Sequence, residues 1–138
     1  MPKQSPVPDE TSKPFWDACN EERLVMQTCT TCDRMQFPPT PTCAECGSGD
    51  NFEWREMSGK GKINGYCVMH DSRIRLLQAD QPFNIVIVEL EEDPDILMFS
   101  HLPGTPADEV PVGASVEVVF ETTAGPSGQK VAEWKVVG

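Results

Sequence analysis

From residue 52 onward the chain is dominated by alternation with a period of two. Phe52-Glu53-Trp54-Arg55-Glu56-Met57 alternates apolar with charged side chains, as a strand with one solvated face does. Five further strands are predicted over 63–70, 83–90, 96–102, 115–122 and 129–136, and the stretch from Phe83 to Leu90 is apolar enough to be covered on both faces. Their turns are marked by Asp80-Gln81-Pro82, by Glu91-Glu92-Asp93-Pro94-Asp95, by the longer segment 103–113 and by Ala124-Gly125-Pro126-Ser127-Gly128. Gly59-Lys60-Gly61-Lys62 opens the first of the five, its glycines permitting the bend or bulge of a barrel corner. Five short strands with one long connection predict a small barrel that closes its own edges, an OB-fold, with an SH3-like barrel as the alternative.

Upstream the period changes. Phe15, Ala18 and Cys19 fall at i, i+3 and i+4 beside Trp16, with Asp17, Asn20, Glu21 and Glu22 on the other side. This predicts a short helix capped by Ser12, with Pro14 in its first turn, ending near residue 22 or 23. Its apolar stripe either packs on the chain's own core or docks a partner through Phe15, Trp16 and Cys19. Short strands follow over 24–28 and 35–37.

Between and after those strands stand Cys29-Thr30-Thr31-Cys32 and Cys43-Ala44-Glu45-Cys46. Two C-x2-C pairs, each forming a tight knuckle, bring four thiolates to the corners of a tetrahedron, which is the closed structural site of Zn²⁺. The connecting residues 33–42 carry Pro38, Pro39 and Pro41, so they turn and return, and the whole reads as a zinc ribbon. A pair of disulfides or an iron site is the alternative use of these cysteines. The fold class is therefore mainly β: a short N-terminal helix, a zinc ribbon and a five-stranded OB-fold. Residues 1–11 form a loose tail, 12–57 the helix and ribbon, and 58–138 the barrel.

Composition narrows the function. Among 138 residues, 22 acidic against 11 basic side chains give a net charge of −11. Binding to a phosphate backbone depends largely on Lys and Arg, so a single-stranded nucleic-acid binder is the weaker reading of a ribbon with an OB-fold. No apolar run approaches the roughly eighteen residues of a membrane span, and the first eleven residues have no signal or transit pattern. A cytoplasmic protein is expected.

The order of parts is a Phe15-Trp16 helix, a four-cysteine ribbon with Pro38-Pro39 between the knuckles, Gly59-Lys60-Gly61 entering a barrel, then Pro82-Phe83 and Val112-Gly113. Over about residues 15–137 this resembles the family of acyl-CoA-associated proteins built from a rubredoxin-like zinc ribbon followed by an OB-fold. Asp33 departs from the glycine usual in the family's first knuckle, which bears on the turn and not on the ligands. The resemblance implies a non-catalytic accessory subunit that forms a hetero-oligomer with thiolase-like enzymes, or in some members with hydratases. It also implies structural Zn²⁺ and a CoA thioester as ligand of the complex.

No catalytic constellation is visible. Of the two cysteines beyond the ligands, Cys67 lies mid-strand three residues from His70 and faces the other way, so it reads as a buried, inert thiol. Cys19 reads as packing, and His70 and His101 as surface histidines. Lys60 with Lys62, and Arg73 with Arg75, each at i and i+2 of an extended segment, are the candidate contacts to a CoA diphosphate. The acidic run from Glu89 to Asp95 lacks the spacing of a calcium loop and reads as a solvated hairpin.

Overall fold

The computed structural model describes residues 1–138. Helix α1 spans Lys13–Asn20, with Pro14 in the first turn as predicted. Ser12 does not cap it, because its backbone is already helical (φ −91°, ψ −12°) and its side chain instead accepts from the Asp9 amide at 3.1 Å. The helix stops before residue 22 because Glu22 swings to φ 58° and the Glu22 and Arg23 amides close back onto Cys19 and Ala18.

Three strands form the ribbon sheet in the order β2-β1-β3: β1 (Val25–Cys29), β2 (Met35–Gln36) and β3 (Phe52–Glu56). Every residue of the central β1 is buried. Its one long polar side chain, Gln27, accepts from Gln36 Nε2 at 2.7 Å and donates to the Thr40 carbonyl at 2.9 Å. That satisfied amide pair ties the proline-rich connection to the sheet.

The second sheet is antiparallel throughout, in the order β6-β5-β4-β7-β8, from β4 (Lys60–Met69), β5 (Phe83–Leu90), β6 (Leu97–Ser100), β7 (Ser115–Thr122) and β8 (Lys130–Val136). It curls into a half-barrel. Its two edges meet through Ser100 Oγ, which donates to the Ala132 carbonyl at 2.6 Å, and the Trp134 amide, which donates to the His101 carbonyl at 3.2 Å. The bulge in β4 falls between Ile63 and Gly65, not at the glycines before it. Gly61 serves close approach instead, since a Cβ there would stand 2.6 Å from the Glu89 carbonyl oxygen. A 3-10 helix, Arg75–Asp80, occupies part of the connection between β4 and β5 that the sequence pattern left irregular.

A single core joins the two halves. Phe15, Cys19, Leu24 and Met26 from the helix and ribbon pack in one cluster with Ile63, Val86, Val88 and Trp134 of the half-barrel. Asn20 and Gln129 reinforce the junction: Asn20 Oδ1 accepts from the Lys130 amide at 2.8 Å, and Gln129 Nε2 donates to the Trp16 carbonyl at 3.0 Å. Two contacts bring the first residues against the half-barrel. The Lys3 carbonyl accepts from the Ala124 amide at 3.0 Å, and Ser5 Oγ lies 2.6 Å from Thr123 Oγ1.

Candidate metal centre and seam groove

The four cysteines converge. Their sulfur atoms all lie within 4.8 Å of one another, with Cys29 and Cys46 at 3.6 Å and Cys32 and Cys43 at 3.6 Å. A tetrahedron with metal–sulfur bonds of about 2.3 Å has edges of about 3.8 Å, so the site fits a zinc ion. Disulfide bonding would need sulfurs about 2.05 Å apart, and all six cysteines are free thiols here. Each knuckle is closed by an amide on the residue after its second cysteine or next to it: Asp33 N donates to the Cys29 carbonyl at 2.8 Å, and Gly47 N to the Cys43 carbonyl at 2.9 Å. Ser48, 3.3 Å from Cys46 Sγ, bonds through side chain and backbone and holds the Cys46 thiol below its ordinary range.

The docking face predicted on α1 divides. Phe15 is 4% exposed and Cys19 fully buried, both facing the shared core, so only the half-buried Trp16 remains near the surface. The helix lies against β8, and the chain covers its own stripe. Burial pushes the Cys19 thiol up to about 12, which keeps it uncharged.

The four cations do not form one site. Lys60 and Lys62 stand at the start of β4, where Gly61 pairs with Leu90, and Arg73 and Arg75 lie beyond its far end, where Met69 pairs with Phe83. At about 3.3 Å per residue these ends are on the order of 30 Å apart. Arg75 moreover begins the 3-10 helix, so the second pair does not lie along one extended face. Lys60 and Lys62 line a cleft of about 420 Å³ together with Glu89, Glu91 and Glu117, whose charges oppose an anion.

Two expectations about single residues are corrected. Cys67 is exposed, because position 67 points to the outer face of the curled sheet. His101 is half-buried, stacked edge-on against Phe83 with ring centroids 6.4 Å apart. His70 is exposed.

The seam between β6 and β8 holds a cavity of about 320 Å³, walled by Phe15, Trp16, Phe37, Phe83, Phe99 and Met98 among other apolar residues. At its polar end Lys3 Nζ donates to Glu121 Oε2 and His101 Nδ1, each at 3.1 Å, and lies 2.7 Å from Glu133 Oε1. Sequence reading missed this cluster. Alternation along β8 assigns Glu133 to solvent, opposite Ala132 and Trp134, yet the first residues of the chain cover that face and leave it 1% exposed. Burial, then the neighbouring Glu121, pushes the Glu133 carboxyl up to about 7.

Family models match both halves of the chain: residues 16–53 fit the rubredoxin-like zinc ribbon domain of ChsH2, and residues 54–121 its C-terminal OB-fold domain. Two archaeal DUF35 domain-containing scaffold proteins, from Methanocaldococcus jannaschii and Methanothermobacter thermautotrophicus, are each 32% identical over 70% of this chain, which covers 67% and 71% of their lengths. The chain belongs to the ChsH2 (DUF35) family. A probable enoyl-CoA hydratase alpha subunit of Thermomonospora curvata is also 32% identical, over 74% of this chain, but the chain spans only 31% of its length. Among solved structures, a chain of the Ltp2-ChsH2(DUF35) aldolase superimposes with a TM-score of 0.81 at 25% identity, covering 96% of this chain and 98% of that one. A DUF35 protein of unknown function from Sulfolobus solfataricus shares the fold, with a TM-score of 0.62 at 15% identity over 93% of this chain and 86% of that one. Within the DUF35 frame the ribbon provides the metal centre, and the helix, the ribbon and the half-barrel together wall the seam groove.

Proposed function

We propose that this chain is a non-catalytic, zinc-binding subunit of a cytoplasmic hetero-oligomeric complex that processes an acyl-CoA. Its catalytic partner is a thiolase-type enzyme that cleaves a β-ketoacyl-CoA in a degradation pathway. The observation that carries the reading is the near-complete superposition on a chain of the Ltp2-ChsH2(DUF35) aldolase, together with the match of both ChsH2 domain models. Retro-aldol and thiolytic cleavage both break the carbon–carbon bond between the α and β carbons of a carbonyl compound. The chain's own residues support the non-catalytic part, since its thiols are either committed to the metal centre, buried at Cys19, or isolated at Cys67.

In this reading the metal centre holds the ribbon in shape, Trp16 and the surface around it meet the partner, and the half-barrel borders the acyl-CoA entrance. The two basic pairs, Lys60 with Lys62 and Arg73 with Arg75, are separate candidate contacts to a CoA diphosphate, the first only where the partner offsets Glu89, Glu91 and Glu117 beside it. A second reading, a hydratase partner, is favoured by the likeness to the hydratase alpha subunit.

Purification of the tagged chain from its native cytoplasm at moderate salt, followed by sedimentation and acyl-CoA assays of what co-purifies, tests both. A thiolase-type chain in fixed ratio is the expected result, and a hydratase in fixed ratio selects the second reading. A chain that sediments alone, with no CoA enzyme in any fraction, rejects both.

A further inference from the structure

The polar end of the seam groove is built around an ammonium group. An ammonium has three N–H bonds to give. Those of Lys3 go to the Met1 carbonyl at 3.2 Å, to His101 Nδ1 at 3.1 Å and to Glu121 Oε2 at 3.1 Å. Glu133 Oε1 stands 2.7 Å from Nζ, the shortest contact of the ammonium, and forms an ion pair with it at a carboxyl only 1% exposed. Burial, then the charge of Lys3, holds His101 down to about 4, so its ring is neutral near pH 7 and can accept at Nδ1. The site thus combines one neutral acceptor, one directional carboxylate and one buried carboxylate around a single point.

Outside Lys3 little fastens the first residues. Their ties are the Ala124 amide on the Lys3 carbonyl and the hydroxyl pair of Ser5 with Thr123. Gly125 leaves room for that approach, since a Cβ there would stand 2.5 Å from Ser5 Oγ. Neither tie belongs to a sheet ladder, and two isolated bonds hold the segment only weakly.

We propose that Glu133, Glu121 and His101 form a receptor for a primary ammonium at the closed end of the seam groove. Lys3 fills it in cis, which makes residues 1–5 a strap latched by one side chain. The strap supplies Met1, Lys3 and Gln4 to the groove's wall, so the latch decides whether that wall is present. A planar guanidinium is wider and presents its donors in a fixed fork, so the receptor discriminates lysine from arginine.

Amide hydrogen exchange on the full-length chain at pH 7.5 tests this. Ala124 N reports the strap, and Thr123 N, bonded to the Gln129 carbonyl at 2.8 Å, reports the half-barrel. Lys3→Met and Lys3→Arg are each expected to lower Ala124 protection by at least about tenfold while Thr123 keeps its own. Unchanged Ala124 protection in Lys3→Met would overturn the latch. Full protection in Lys3→Arg would reduce the receptor to a generic acidic patch. Loss of Thr123 protection along with Ala124 would show the strap to be part of the folding core, which overturns the proposal as well.

Discussion

Asp33 and Gly47 occupy equivalent places in the two knuckles, each four residues after the first cysteine of its pair, and both have positive φ, 65° and 77°. Both amides close the loop onto that first cysteine's carbonyl. Aspartate tolerates the left-handed region better than most side chains, and Asp33 also bonds Arg55 through its carboxylate. The two positions should respond differently. Gly47→Val is expected to cost about 1–2 kcal/mol and to weaken metal affinity in a chelator competition. Asp33→Gly relieves the backbone at the expense of an exposed ion pair, and a change within about 0.5 kcal/mol is expected.

Removal of the metal, by chelator or by Cys32→Ala, is expected to unfold the sheet of β1, β2 and β3. Because Leu24 and Met26 share a core with Val86 and Trp134, the damage should spread: the unfolding midpoint of the half-barrel falls by at least about 10 °C. Calorimetry with and without chelator measures it. An unshifted half-barrel transition would mean that the two modules are energetically separate.

The core position of Phe15 gives a second stability test. Phe15→Ala leaves a void against Trp16 and Phe37, whose rings lie 4.9 and 5.4 Å from it, and should cost about 3–5 kcal/mol by denaturant titration. Trp16→Ala, at a half-buried position, should cost less and act more on partner affinity. Equal stability losses with no effect of Trp16→Ala on the complex would remove Trp16 from the docking surface.

Acid titration separates His101 from Glu133. Burial and Lys3 lower His101 from 6.5 to about 4, so the unfolded chain binds a proton in that interval that the folded chain does not, and this stability is lost as pH falls. Burial and Glu121 raise Glu133 from 4.5 to about 7, so its contribution is complete below 4.5 and is lost as pH rises through 7. Between 4.5 and 6.5 the two slopes oppose. Glu133→Gln is therefore expected to make stability climb with pH across that interval, and His101→Gln to make it decline, in thermal melts run at half-unit steps. Parallel curves for wild type and both variants would contradict the assignment.

The ribbon and the strands were legible in the sequence because each rests on a local rule: cysteine spacing for the knuckles, alternation for β3, and a continuous apolar run between turn residues for β5. What escaped depends on distant parts of the chain. Alternation cannot show that residues 1–5 cover Glu133, so the burial of this β8 carboxylate has no local signal in the sequence. It cannot show that α1 rests on β8, which turned Phe15 and Cys19 from a docking face into core. Spacing could not show that Arg75 begins a 3-10 helix, so that Arg73 and Arg75 do not share one extended face.

The core common to ribbon and half-barrel makes the metal a checkpoint on assembly. If metal removal unfolds the ribbon as expected, a chain that has not captured its ion lacks an ordered β1, hence a seat for Leu24 and Met26 and one side of the half-barrel's interior. Such a chain would present no finished surface to another protein. Metal supply in the cell would then regulate how many complexes form, without altering the chemistry of those already built.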